Sequence, residues 1–387
     1  MEKIKIGDVC NILNGFAFKS ENYMDSGIRI IRIANVQKGF IEDTMPVFYP
    51  ITSEGLDKYM LEEGDLLISL TGNVGRVAPL GKEMLPAALN QRVACLRLKT
   101  DKISKRYLFH ILNSNYFEQQ CIQSSKGVAQ KNMSTEWLKD YEIPLYSVER
   151  QAEIISVLDK IGLIMADRKK ELKKLNDLIK ARFVDMFGDP VENPYNWPVD
   201  NLTNLGECKN GMNFHTDDSG VEIHCLGVGD FKDLSLIEDT SKLPTISLNE
   251  MPSDDYLLTN GDIVFVRSNG NKALVGRSVV VYPDNIPTTF SGFCIRFRIQ
   301  NPVILPSYLL RVLKTDSMRK KMAGRGANIQ NLNQKILATL RIPIPALALQ
   351  EEFEFFVKKV DKSKLVIQKA LNEAQLLFES LLQEYFK

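Results

Sequence analysis

Residues that could bind nucleic acid occur in two separate groups of glycine-bracketed stretches. The first group comprises TGNVGR, LNQR and GVAQKN, and the second comprises RSNGNKALVGR and GRGANIQN. Arg, Lys, Asn and Gln side chains can contact guanine and adenine edges in the major groove, and Arg and Lys also neutralise phosphates. The chemistry indicated is recognition of double-stranded DNA. The candidate contacts are Lys19, Asn73, Arg76, Asn90, Gln91, Arg92, Lys126, Gln130, Lys131, Asn132, Arg267, Asn269, Asn271, Lys272, Arg277, Arg325, Asn328, Gln330 and Asn331.

A structural interpretation of these residues stays open, because Asn and Gly favour turns whatever the function. Asn132 and Asn331 each come just before a helix-like segment. There an Asn side chain can cap a helix or brace a loop as well as it can read a base. The pairs at 64–65 and 261–262, both Gly-Asp, precede strand-like runs, and we expect them to form turns.

Sequence motifs for catalysis or metal binding are absent. A nucleotide-hydrolysing loop needs G-x-x-x-x-G-K-S/T. The nearest stretch, GRVAPLGKE, has a different spacing and ends in Glu83. NPYNWP imitates part of an amino-methyltransferase motif, but it lacks the second proline and directly follows a helix end, so a linker is the better interpretation. There is no G-x-S-x-G or H-E-x-x-H, and the three histidines and six cysteines show no zinc spacing. We predict no catalytic residue and no metal site in this chain.

Length and composition favour a folded protein with more than one domain. A chain of 387 residues exceeds one typical domain, and its composition is ordinary for globular proteins. The scattered cysteines indicate a reducing compartment. The first residues, MEKIKIGDVC, lack the apolar core of a signal peptide, and no apolar run approaches membrane-spanning length. We expect a cytoplasmic protein with no membrane contact.

The charge distribution is more informative than the net charge of +1. Residues 189–262 contain three Lys or Arg and fifteen Asp or Glu. Residues 263–345 contain thirteen Lys or Arg and two Asp or Glu. Such asymmetry within one segment suggests a basic face. A solvated surface with complementary patches explains the charges equally well.

The sequence contains an internal repeat. The stretch GVAQKNMSTEWLKDYEIPLYSVERQAEI, residues 127–154, returns as GANIQNLNQKILATLRIPIPALALQEEF, residues 326–353. Upstream, Asn14-Gly15 corresponds to Asn210-Gly211. Because the matches keep their order over nearly 200 residues, the chain is two copies of one unit. Each copy begins with short β-like runs, such as DLLISL and DIVFVRS, and ends in a long helix.

Apolar residues in both helical parts recur in alternating steps of three and four, which predicts coiled-coil packing. The two helices most simply pair with each other, antiparallel; the alternative is that each packs on its own domain. The predicted strand-rich domains are residues 1–146 and 189–345, and the helical spacer regions are 147–188 and 346–387. The predicted coiled-coil core is Ile154, Leu158, Ile161, Met165, Leu172, Leu175, Ile179, Phe353, Val357, Val360, Ile367, Leu371, Phe378 and Leu381.

Local signals predict where the first long helix begins and ends. Pro144 favours an extended approach, and Ser147 can cap the helix with its hydroxyl group. At the other end, Gly188 can adopt the left-handed cap conformation and Pro190 prevents continuation.

The order of these elements resembles the specificity subunits of type I restriction-modification systems. The resemblance covers the whole chain and is carried by IPLYSVERQAEI, RFVDMFGDP and IPIPALALQEEF. It implies an α+β fold: two tandem strand-rich target recognition domains joined by two long helices that form an antiparallel coiled coil, with a pseudo-twofold internal repeat. Each recognition domain would read one half of a bipartite, asymmetric DNA site, and the helices would set the spacer length.

The resemblance also implies partners. Two methyltransferase subunits, which bind S-adenosylmethionine, would dock on the helices, and restriction and translocase subunits using ATP and Mg would join the larger complex. This chain would hold no cofactor and would not be an enzyme.

Two other functions remain open at the sequence level. The first is a coiled-coil scaffold whose strand-rich domains bind other proteins without sequence-specific DNA recognition. The second is an enzyme that methylates DNA by itself, which the missing cofactor loop disfavours.

Overall fold

The computed structural model describes residues 2–52, 54–125, 132–214, 218–231, 235–271, 274–323 and 331–387. The chain forms two compact units. The first consists of Met1–Glu171 with Ile367–Lys387, and the second of Leu172–Val366. Across the described ranges, no helix combines the length and hydrophobicity needed to cross a membrane.

The elements up to residue 187 begin with a mixture of short strands and helices and end in a long helix. The strands are β1 (Glu2–Lys5), β2 (Cys10–Asn14), β3 (Ile28–Ile31), β4 (Phe48–Tyr49), β5 (Leu66–Ser69), β6 (Val77–Pro79), β7 (Ala87–Leu89), β8 (Val93–Leu98) and β9 (Glu142–Leu145). The helices are α1 (Ile6–Val9), α2 (Lys105–Leu112), α3 (Asn115–Ser124), α4 (Thr135–Asp140) and α5 (Val148–Phe187).

The elements after residue 187 follow nearly the same order. The strands are β10 (Val199–Asn201), β11 (Gly206–Asn210), β12 (Val221–Leu226), β13 (Leu236–Ile237), β14 (Thr245–Leu248), β15 (Asp262–Val266), β16 (Ser278–Val281), β17 (Thr288–Phe290), β18 (Cys294–Ile299) and β19 (Arg341–Pro343). The helices are α6 (Leu202–Leu205), α7 (Pro306–Lys314), α8 (Asp316–Ala323), α9 (Gln334–Ala338) and α10 (Leu347–Phe386).

Strand pairing repeats between the two units. The first unit has sheets ordered β2-β8-β5-β6, β4-β3-β7 and β1-β9, and the second has β11-β18-β15-β16-β13, β14-β12-β17 and β10-β19. Each unit also contains one equivalent parallel pair, β3 with β7 and β12 with β17. The described part of the second unit adds β13, which pairs in parallel with β16. The internal repeat predicted from the sequence is therefore confirmed in the fold.

The uninterrupted apolar runs of β5 and β15 follow from their central positions. Leu66 and Ile68 of β5 face the core that contains the helices, whereas Leu67 faces a second core between the two larger sheets. In β15, Ile263 and Phe265 face the helical side, and the alternate valines face the sheet side. Since successive side chains of a strand point to opposite faces, a strand buried on both faces is apolar along most of its length, and the buried Asp262 that begins β15 is paired with Arg298.

The two long helices form the predicted antiparallel coiled coil. In the first unit, the early turns of α5 share a core with the last turns of α10, through residues such as Leu158 and Leu382. In the second unit, the last turns of α5 share a core with the early turns of α10, through residues such as Phe183 and Phe353. All fourteen predicted core residues are buried or half-buried.

The ends of α5 have the predicted local structure. The backbone N–H of Arg150 donates to the Ser147 hydroxyl oxygen (3.3 Å) at the beginning of the helix. The pKa of Glu149 in this first turn is lowered by hydrogen bonds from its own backbone N–H and from the Ser147 side chain. At the other end, Gly188 has φ of 73° and donates its N–H to the Val184 carbonyl oxygen (2.8 Å). This is the left-handed helix end that favours glycine.

Candidate nucleic-acid interface

Four separate chain segments converge in the first unit. The backbone N–H of Gln91 donates to the Phe16 carbonyl oxygen (2.9 Å), and that of Leu70 donates to the Arg92 carbonyl oxygen (3.0 Å). The N–H of Met133 donates in turn to the Leu70 carbonyl oxygen (2.8 Å). These bonds connect the end of β2, the β5–β6 loop, the β7–β8 turn and the segment before α4. We call this group the first loop cluster, and it consists of Gly15, Phe16, residues 70–73, residues 90–92, Asn132 and Met133.

The second unit repeats the same network with different side chains. The backbone N–H of Gly292 donates to the Met212 carbonyl oxygen, that of Arg267 to the Phe293 carbonyl oxygen, and that of Leu332 to the Arg267 carbonyl oxygen, each at 2.8 Å. These segments occupy the same places in the order of elements as those of the first unit. We call them the second loop cluster, and it consists of residues 211–214, residues 267–271, residues 291–293, Asn331 and Leu332.

Glycine is required at one corresponding position in each cluster. A β-carbon on Gly15 would lie 2.2 Å from the Asn90 carbonyl oxygen, and one on Gly211 would lie 2.0 Å from the Ser291 carbonyl oxygen. Both distances are far below van der Waals contact, so only glycine lets the chain lie this close to the β7–β8 or β17–β18 turn. This explains why glycine occurs at this position in both copies.

A repeated ion pair secures the strand behind each cluster. Both carboxylate oxygens of Asp65 accept hydrogen bonds from Arg97 (3.0 and 2.6 Å), and Asp262 and Arg298 form the same bidentate pair (2.9 and 2.7 Å). The neighbouring Gly64 has φ of 77° and Gly261 has φ of 88°, which confirms the predicted turns. The Asp262 carboxylate also raises the pKa of Arg298, chiefly by its hydrogen bond.

Most of the described candidates of the first unit lie in the first loop cluster. Asn73, Gln91, Arg92 and Asn132 are exposed there, and half-buried Asn90 is next to them. Two candidates lie outside this cluster. Half-buried Arg76 donates to the Gln37 side-chain oxygen (2.5 Å), and the Lys19 ammonium group is 3.8 Å from the Glu21 carboxylate. Lys126, Gln130 and Lys131 lie outside the described residues.

The second loop cluster contains a comparable set of candidates. Asn271 and Asn331 are exposed, and the half-buried Asn269 accepts the Asn271 backbone N–H (2.7 Å). Arg267 is half-buried, and its guanidinium donates to the Gly292 carbonyl oxygen (3.4 Å). Lys272, Arg325, Asn328 and Gln330 lie outside the described residues.

Half-buried Arg277 belongs to a group of neighbouring basic side chains that also includes Arg311, Lys314 and Arg319. Burial and, to a smaller extent, the nearby guanidinium groups of Arg311, Arg277 and Arg319 together lower the pKa of Lys314 to about 7. The Lys314 ammonium group donates to the Ser235 hydroxyl oxygen (2.9 Å).

Part of the basic excess between residues 263 and 345 is internal. Arg296 is fully buried and donates to the Asp255 carbonyl oxygen (2.9 Å) and the Glu207 carboxylate (3.1 Å). The guanidinium group of half-buried Arg319 likewise donates to the Val275 carbonyl oxygen (3.0 Å). Some of these cations therefore stabilise the domain instead of forming a basic face.

The thiol groups do not resemble nucleophiles or metal ligands. Five of the six cysteines are buried and Cys208 is half-buried. Burial raises the pKa of Cys10 and of Cys225 to about 12 and that of Cys208 to about 11, so these thiols stay protonated at neutral pH. Within the described ranges, no group of three His, Cys, Asp or Glu side chains could hold a metal ion.

Exposed apolar residues in the clusters were not among the sequence candidates. Phe16 is 37% exposed in the first cluster, and Phe214 and Phe293 are exposed in the second. These phenylalanines are neither polar nor basic, so a prediction based on those residue types does not include them. Phe293 could have been found by aligning the two copies, because it takes the place of Arg92 in the β17–β18 turn.

Comparison with known families decides what this architecture is. The model of the type I restriction modification DNA specificity domain matches twice, at residues 1–174 and 197–375. The chain belongs to this family. The two matches follow the internal repeat, so each copy is one specificity domain.

Relatives of this specificity protein match over nearly its whole length. The StySPI specificity subunit of Salmonella potsdam is 25% identical over 401 aligned residues, covering 98% of this chain and 86% of the relative. The EcoBI specificity subunit of Escherichia coli is 23% identical over an alignment that covers 100% of this chain and 85% of the relative. The EcoAI specificity subunit of Escherichia coli is 32% identical over a shorter stretch, 41% of this chain and 28% of the relative.

Solved structures share the fold of this specificity protein. A type I restriction-modification S subunit from M. genitalium superposes with a TM-score of 0.53 at 16% identity, covering 100% of this chain and 96% of the other. A chain from a study of complex assembly and conformational transition of the type I R-M system gives a TM-score of 0.58 at 15% identity, covering 99% of this chain and 97% of the other.

Proposed function

We propose that this chain is the non-catalytic DNA specificity subunit of a type I restriction-modification complex, with each loop cluster reading one half of a bipartite, asymmetric site. The observation that carries the proposal is the hydrogen-bonded frame that occurs in both units with different exposed side chains. Gln91 and Arg92 of the first frame stand at the places of Gly292 and Phe293 in the second, whereas an exposed asparagine, Asn132 or Asn331, occurs at the same place in both. An identical frame with divergent side chains is what two reading sites of different specificity require.

The long helices supply the spacer and the docking surface in this proposal. At 40 residues each, they are about 60 Å long. Large apolar side chains remain exposed along them, including Leu163, Leu365 and Leu376. Such residues on a helix surface favour contact with another protein. We assign this surface to the two methyltransferase subunits.

Chemistry in the complex is assigned to partner subunits. Methyltransferase subunits would bind S-adenosylmethionine and modify the DNA, and restriction and translocase subunits would use ATP and Mg. The similarity to specificity subunits along nearly the whole chain supports a role without catalysis.

Salt dependence of DNA binding tests the proposal against the protein-binding scaffold. The complex with its methyltransferase should bind DNA with an affinity that falls steeply as salt rises, because bound cations are released from phosphates. Arg92→Ala should weaken binding by roughly 10-fold. Lys139→Ala is the control. Lys139 is an exposed cation of α4 that lies outside the cluster and pairs with Glu136, so its removal should leave the DNA affinity unchanged.

The scaffold alternative predicts a different result from the same titration. A complex that shows no salt-sensitive DNA binding, with or without the methyltransferase, would favour the scaffold. Methyl transfer by this chain alone, supplied with S-adenosylmethionine and DNA, would contradict the non-catalytic assignment.

A further inference from the structure

Phe293 is the most exposed aromatic residue of the second loop cluster. Its side chain is 60% exposed, although the next residues, Cys294 to Phe297, are completely buried in β18. None of the aromatic ring contacts found among the described residues involves Phe293. By contrast, the Phe16 ring of the first cluster packs on Phe18 and Tyr59, with centroids 5.0 and 5.2 Å away.

The backbone that presents Phe293 is firmly held. Its carbonyl oxygen accepts the backbone N–H of Arg267 (2.8 Å), and its own N–H donates to the Ser291 hydroxyl oxygen (3.3 Å). The preceding Gly292 donates to Met212, and a β-carbon on it would lie 2.1 Å from the Asn213 side-chain oxygen. The exposed ring is therefore presented in a defined position, as a preorganised contact residue would be.

The corresponding turn of the first unit carries a different chemistry. Arg92 is exposed at the same place, where its carbonyl oxygen accepts the Leu70 N–H in the equivalent hydrogen bond. An arginine there can donate to guanine or to a phosphate. A phenylalanine can do neither, so the two units must use this turn for different contacts.

We propose that Phe293 contacts the 5-methyl group of a thymine in the half-site read by the second unit. This inference rests on the proposed function. The thymine methyl is the one apolar group that a base pair presents in the major groove, and phenylalanine is among the side chains that contact it. The neighbouring Asn271 and Asn331 would contact polar base edges, which places the apolar ring within a polar reading surface.

The test replaces thymine by deoxyuridine, which removes only the methyl group. The complex with its methyltransferase is titrated with duplexes of the methylated motif, in which each thymine of either strand is replaced in turn. One thymine, in one half-site, should respond with about fourfold weaker binding, the contribution of one buried methyl group. Phe293→Ala should bind the unmodified duplex about tenfold more weakly and should no longer distinguish thymine from deoxyuridine at that position.

Two further variants separate the methyl contact from a general loss of structure. Phe293→Leu keeps an apolar side chain and should retain part of the discrimination. Phe40→Ala is the matched control, because Phe40 is 56% exposed but belongs to the first unit and lies outside both clusters. It should leave the ratio of thymine to deoxyuridine affinities unchanged.

Three outcomes would overturn the inference while leaving the proposed function intact. The first is sequence-specific binding in which no thymine responds to the replacement. The second is a Phe293→Ala variant that still distinguishes thymine from deoxyuridine as the native protein does. The third is a Phe293→Ala variant whose affinity falls equally for the thymine and the deoxyuridine duplex, with no responsive base. Failure of the proposed function would look different, because no duplex would then bind in a sequence-specific, salt-sensitive manner.

Discussion

Gln151 and Gln350 show how single side chains join a reading domain to a long helix. The Gln151 side chain accepts the Ser104 backbone N–H (3.0 Å) and donates to the carbonyl oxygens of Lys102 (2.9 Å) and Tyr146 (3.0 Å). Gln350 makes the same three kinds of bond, to Leu305, Val303 and Pro345, each at 2.9 Å. Both side chains are buried. An amide group is well suited to this position because it donates and accepts at once.

Replacing either glutamine should loosen only its own unit. Gln151→Ala would leave three partly buried backbone groups without this partner, so local opening should become easier by about 2 kcal/mol, or roughly 30-fold faster amide exchange. Hydrogen–deuterium exchange should show the loss in residues 100–112. Gln350→Ala should produce the same loss in residues 301–313.

Each glutamine variant is the control for the other, and Gln375→Ala, at an exposed position of α10, should change neither region. Equal loss of protection in both regions from either variant would contradict this local role.

The long helices also enter the domain cores. Tyr107 packs on Phe386 at the end of α10 (centroids 5.5 Å apart), and Tyr308 packs on Phe187 at the end of α5 (4.8 Å). Each tyrosine hydroxyl donates to a proline carbonyl oxygen of the segment that leads into the other helix, Pro144 or Pro343 (3.1 and 3.0 Å). The end of one helix and the beginning of the other are therefore fixed against the same residues.

Periodicity predicted the helix pair but not the residues at the helix ends. Continued past Ile179, the steps of three and four fall on Arg182 and Met186, which are half-buried, whereas Phe183 and Phe187 are the buried residues. A repeating pattern reports the partner helix alone, and at its end α5 also faces Tyr308 and the sheet. Burial by a folded domain cannot be predicted from the spacing of residues along one helix.

Lengthening both helices should lengthen the spacer of the DNA site. Four residues inserted after Glu171 and four after Val366 add about 6 Å to each helix, equivalent to one or two base pairs. Sequencing of methylated DNA should then show a motif whose two halves are unchanged and whose non-specific spacer is longer.

An insertion of four residues after the exposed Gly55 is the control, and it should leave the spacer as it was. If the lengthened helices supported methylation of the original motif, the helices would not set the spacer.

Across the whole molecule, the repeat and the helix pair could be predicted from the sequence. The convergence of distant segments could not, because contacts such as Leu70 with Met133 depend on how the sheets and helices pack. The polar candidates Gln91 and Asn132, whose contacts with DNA stay a prediction, were chosen by their residue types. Phe293 was not, because an apolar side chain indicates burial until the structure shows it exposed.

Two reading sites on one repeated frame explain why the copies agree in their hydrogen bonds and differ in their side chains. Gly15 and Gly211 permit the same close approach, and Asp65 and Asp262 hold the same strand position. Arg92 and Phe293 differ at the tip of the corresponding turn. Specificity can therefore change in one unit without changing the frame of the other.

The most direct test exchanges residues 1–146 for the corresponding segment of another family member with a known motif. The complex is expressed with its methyltransferase, and the methylated motif is read by sequencing the DNA of the host strain. One half of the motif should take the donor's sequence, while the other half and the spacer length stay the same. A change in both halves, or in neither with methylation retained, would contradict the account of two separate reading units.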